Sequence, residues 1–107
     1  MRNTRTTISD IDASLLGAVL DGNLEYTKML ITQYKANVNA QDAHGASPAL
    51  YAAKRNDLNI LKYLVEKGAD LRLSDLLNKT PLSWAQYNKN DEMITFIEDQ
   101  SKSSLTP

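Results

Sequence analysis

Apolar residues along this chain follow two rhythms, a short one of three or four residues and a long one of about 33. The short rhythm appears in Tyr26, Met29 and Leu30, in Ile60, Leu61, Leu64 and Val65, and in Met93, Ile94 and Ile97. Each set falls on one face of a helix. The windows predict helices over about Leu24–Tyr34, Leu58–Lys67 and Asp91–Gln100. A shorter helix precedes each one, over about Ile11–Leu20, Pro48–Arg55 and Pro81–Asn88. Ser47 reads as an N-cap, and Pro48 suits the first helical position because its missing N–H has no partner to lose there. Asn56-Asp57 is a turn, and Gly68 is a left-handed C-cap. A helix as short as Pro48–Arg55 is unstable alone in water, so it must be stacked against something.

The long rhythm supplies the neighbours. Asp42 aligns with Asp75, Pro48 with Pro81 and Ala52 with Ala85 at a spacing of 33, and Lys35–Asp42 matches Gly68–Asp75 in the same register. Upstream the spacing is 34, pairing Ala18 with Ala52 and Leu30 with Leu64. One extra residue therefore belongs near Tyr34-Lys35, after the second helix of the first copy. Three copies, over about residues 10–41, 42–74 and 75–100, make an array in which each copy buries its apolar face on a neighbour. Residues 1–9 and 101–107 read as flexible polar tails.

In the middle copy Gly45, Ser47, Pro48, Ala52, Ala53, Leu64, Gly68, Ala69 and Asp70 carry a motif, and Thr80, Pro81, Leu82 and Ala85 carry it in the last. By these residues the chain resembles the ankyrin repeat family over about residues 10–100. The resemblance implies an all-α solenoid of helix-turn-helix repeats with protruding hairpin-like turns, contacting partners through its concave face. Some positions depart from the family pattern. Its histidine after T-P-L is Leu50 and Ser83 here, and its inter-helix glycine is Gly22 in the first copy but Asn56 and Lys89 later. Lysine suits positive φ poorly, which predicts a differently built turn at Lys89.

Composition narrows the chemistry. The chain has 107 residues, 42% hydrophobic and 23% charged, with a formal net charge of −1. These values fit one soluble domain and supply no field towards nucleic acid or an anionic membrane. No cysteine is present, which removes disulfides and thiolate metal sites, and the compartment expected is the cytoplasm. Asp10, Asp12 and Asp21 interrupt any signal-peptide pattern around Ser14–Leu20, and no run approaches membrane-spanning length. His44 is the single histidine, at a turn tip without a catalytic partner. The four glycines form no phosphate-binding motif, and Asp91-Glu92 suits a helix N-terminus. No enzyme, cofactor or metal is expected.

A binding surface remains. Carried over from the resemblance, the turn tips contribute Gln41, Ala43, His44, Ala46, Ser74, Leu76, Leu77 and Lys79. The ends of the first helices contribute Leu20, Asp21, Lys54, Arg55, Tyr87 and Asn88. Tyr87 and Arg55 are the residue types that most often anchor interfaces. Leu76-Leu77 places two large apolar side chains where polar ones are usual. They either face a partner, fold back over Trp84 or pack under the C-terminal tail. Trp84 is expected to pack in the core. The function expected is that of a protein-binding module, monomeric when unbound. An inhibitor or immunity-type protein, a self-assembling structural protein and an enzyme accessory subunit are the alternatives.

Overall fold

A computed structural model describes residues 8–105. Among them the chain forms six helices and no strand: α1 (Asp10–Leu20), α2 (Leu24–Thr32), α3 (Pro48–Lys54), α4 (Leu58–Glu66), α5 (Pro81–Tyr87) and α6 (Asp91–Leu105). Residues 1–7 of the expected N-terminal tail lie outside the described residues. Ser9, the last residue of that expected tail, is instead the N-cap of α1, accepting from the Asp12 N–H.

The stack is all-α. Helices α1, α3 and α5 pack side by side, and each packs on the helix that follows it. Ala18, Ala52 and Ala85 are buried in this row, and their small side chains let the short helices approach. Leu30, Ile60, Leu61, Leu64, Met93 and Ile97 close the core from the other layer. Burying a leucine or isoleucine this fully contributes about 1.5–3 kcal/mol. That gain offsets the poor intrinsic stability of seven-residue helices such as α3 and α5.

Local chemistry fixes the ends. The Ser47 hydroxyl accepts the Leu50 N–H at 3.2 Å, and Thr80 and Ser83 form a reciprocal capping box. Asn23, Asp57 and Asn90 cap the second helix of each repeat by accepting from the N–H groups of Tyr26, Ile60 and Met93. The extra residue of the first copy lies after α2, where the Ala36 N–H reaches back to the Leu30 carbonyl, whereas Ala69 reaches Leu64. One bond thus spans six residues and its counterpart five.

Two expectations are corrected. The turn at Lys89 is not built differently: Gly22, Asn56 and Lys89 have φ of 71°, 66° and 56°. Their N–H groups bond to the carbonyls of Val19, Ala53 and Gln86 in the same pattern. The repeated bonds impose the left-handed conformation on lysine despite its steric cost. Helix α6 also runs to Leu105 rather than ending at Gln100. No glycine or proline interrupts residues 101–105.

Candidate functional site

Two matched turns protrude from the stack, residues 42–46 and 75–79. In each, an aspartate organises the backbone. One Asp42 carboxylate oxygen accepts the N–H groups of His44 and Ala46 at 2.9 and 3.0 Å. Asp75 accepts those of Leu77 and Lys79, both at 2.9 Å. The Leu76 N–H then donates to the His44 carbonyl at 3.0 Å and pins one turn to the other. Gly45 is required at this crossing. Its φ is +79°, and a Cβ there would lie 3.1 Å from the Leu76 nitrogen.

On this fixed backbone the side chains of Leu76 and Leu77 project outward, 77% and 78% exposed. They do not fold over Trp84 as a lid. Instead they stand at the margin of a groove of about 610 Å³ that includes Leu50, Tyr51 and Trp84, with Lys54 and Lys79 beside them. The Lys54 ammonium sits 5.4 Å from the centre of the Trp84 ring, and Tyr87 meets the same ring edge-on at 5.5 Å. The Trp84 Nε1–H is buried without an acceptor among the described residues.

Below the groove the Tyr51 hydroxyl donates to Asp42. Burial, the hydrogen bond to Asp42 and the charges of Asp42 and Asp75 push the Tyr51 hydroxyl up to about 12. Burial raises the Asp42 carboxyl, but donation from Tyr51, Ala46 and His44 outweighs it and holds the group below its ordinary value.

A family model described as ankyrin repeats in three copies matches residues 15–104. The chain belongs to the ankyrin repeat family. It is 30% identical over 97 residues to an ankyrin repeat protein of Rickettsia bellii, an alignment covering 86% of this chain and 58% of that one. It is 33% identical over 96 residues to one of Borreliella burgdorferi, covering 90% of this chain and 42% of that one. A fowlpox virus ankyrin repeat protein is 39% identical over 62 residues, 58% of this chain and 32% of its own. The chain therefore spans less than two thirds of these curated relatives.

Within the ankyrin stack, the candidate residues divide by what already holds them. Leu20, Lys54 and Tyr87 occupy one repeat position and form an exposed row, Leu20 at 46% and Tyr87 at 75%. Asp21, Arg55 and Asn88 follow as helix caps. Arg55 is already engaged: it donates to the Leu20 carbonyl at 3.0 Å and approaches Asp57 at 3.8 Å. Asn88 likewise donates to the Ala53 carbonyl at 3.1 Å. These two bind the stack together more than they offer free hydrogen-bonding groups.

Gln41 bridges the turns, donating to the carbonyls of Gly45 and Ser74 at 2.8 and 3.3 Å. Ser74 itself is half-buried, while Ala43, His44 and Lys79 are exposed. Ala46 is only 3% exposed and forms part of the groove floor rather than a turn tip.

Trp84, Tyr51 and Leu50, which lie outside the expected contact set, complete the groove. Trp84 packs against the core as expected, but it also lines the groove. The repeat register held a signal for this, because Tyr51 and Trp84 lie 33 residues apart at one position of the short helices. Among the described residues, no three His, Asp or Glu side chains gather in a metal-holding group. No described helix is long and apolar enough to cross a membrane.

Proposed function

We propose that this chain is a non-enzymatic protein-binding module whose turn tips and short helices present one rigid concave face to a protein partner. Ankyrin repeats generally mediate contacts between proteins. The observation that carries the reading here is the exposure of Leu76 and Leu77 on a backbone already fixed to the neighbouring turn by the His44 carbonyl. A face ordered before binding loses little conformational entropy on docking. Three repeats offer a face suited to an interface of about 1,200–1,600 Å² in total. The module acts as a monomeric adaptor in a reducing compartment such as the cytoplasm, consistent with its lack of cysteine.

The test is affinity capture from the native cell lysate with the wild type and with a Leu76→Asp/Leu77→Asp variant, both checked by thermal melt. A protein captured by the wild type alone supports the face. Equal capture by both variants moves the contact elsewhere. The captured protein's activity with and without the module separates an adaptor from an inhibitor, and sedimentation of the free chain tests the monomer.

A further inference from the structure

We infer that the groove beside Leu76 and Leu77 receives an acidic–apolar protein segment, one carrying a large apolar side chain with aspartate or glutamate close to it in sequence. The inference rests on the binding-face reading and adds the chemistry of the partner.

The apolar half follows from Leu76, Leu77, Leu50 and Trp84, which surround the groove with hydrocarbon and aromatic surface. The acidic half follows from how charge is distributed around it. Lys54 and Lys79 are exposed, and neither ammonium makes an ion pair among the described residues. The nearby carboxylates also organise the turns. Asp42 takes the Tyr51 hydroxyl and two backbone N–H groups, and Asp75 takes two backbone N–H groups. The groove lining thus carries two cations, Lys54 and Lys79, against one carboxylate, Asp75, while Asp42 lies outside the lining and bonds to Tyr51. An incoming carboxylate would find cations within reach, and an incoming lysine or arginine would meet like charge.

The chain has a single tryptophan, so Trp84 emission reports on the groove directly. A random peptide display library is selected on the full chain, and enriched peptides are titrated against Trp84 fluorescence. Enriched peptides are expected to pair a large apolar residue with Asp or Glu and to shift Trp84 emission. Their affinity is expected to fall about tenfold with Lys79→Glu, and further with Lys54→Glu added. It should also weaken as salt is raised. Arg72→Glu, whose side chain pairs with Asp70 away from the groove, should leave affinity unchanged. Peptides that shift Trp84 and are lost with Leu77→Asp, yet show no acidic bias or survive both charge reversals, overturn this inference and leave the binding face standing. If no enriched peptide shifts Trp84 or depends on Leu77, both readings fall.

Discussion

The guanidinium of Arg55 crosses from the second repeat to the first and donates to the carbonyl oxygen of Leu20 at 3.0 Å. That carbonyl ends α1, where backbone acceptors lack helical partners, so a cation there both satisfies it and complements the helix dipole. The bond depends on Gly22. A Cβ at that position would lie 2.4 Å from the guanidinium, and φ there is +71°. Arg55→Ala is expected to cost about 1 kcal/mol in denaturant unfolding, the bond being half-exposed. Gly22→Ala should cost about 1–2 kcal/mol, from the left-handed backbone and from displacement of Arg55. The double variant should cost less than the sum, because the bond can be lost only once. Strict additivity would show that Gly22 and Arg55 are not coupled.

Lys89 supplies the converse case, a side chain where the backbone favours none. Its φ of 56° matches that of Asn56 and Gly22 at the other two turns. Lys89→Gly relieves the left-handed strain, partly offset by the entropy glycine loses on folding. A gain of about 0.5–1 kcal/mol is expected, seen as a raised denaturant midpoint with unchanged slope. A loss instead would mean that the lysine stem packs favourably enough to outweigh the strain.

These two turns mark where the sequence was legible. The helices, the 33-residue register and the extra residue after α2 follow from periodicity and capping, which are local. Lys89 misleads because its intrinsic preference opposes a conformation that the repeated hydrogen bonds require. Arg55 is a different case. Its residue type suits an interface, and only the stacked structure shows its guanidinium already bound to Leu20. The groove is legible in part: Leu76 and Leu77 stand out in sequence, whereas the contributions of Leu50, Tyr51 and Trp84 depend on how neighbouring repeats are offset.

The Asp42–Tyr51 pair gives stability a pH signature at both ends. The Asp42 carboxyl is lowered by its donors, so its contribution is present above the ordinary carboxylate range and is lost as pH falls through the lowered value. The Tyr51 hydroxyl is raised from 10.0 to about 12, so its contribution is complete below about pH 10 and disappears as pH rises towards 12. Thermal melts of the wild type should show both declines. Tyr51→Phe should remove this tyrosine's share of the alkaline decline and shift the Asp42 share of the acid decline upward in pH. An unchanged alkaline profile in Tyr51→Phe would exclude the hydroxyl as its source.

Leucines on and beneath the binding face separate recognition from folding. Leu77 is 78% exposed, so Leu77→Asp should alter stability by no more than about 0.5 kcal/mol. Leu50 is 2% exposed at the groove floor, and Leu50→Ala should cost about 2–5 kcal/mol because it leaves a cavity between the stacked helices. Under the binding-face reading, Leu77→Asp should abolish capture of the partner while melting like the wild type. Leu50→Ala should melt far earlier, and any binding it retains below its melting transition should remain specific to the same partner. A large loss of stability in Leu77→Asp would instead make that leucine part of the core. Binding unaffected by Leu77→Asp would move the contact away from these turns.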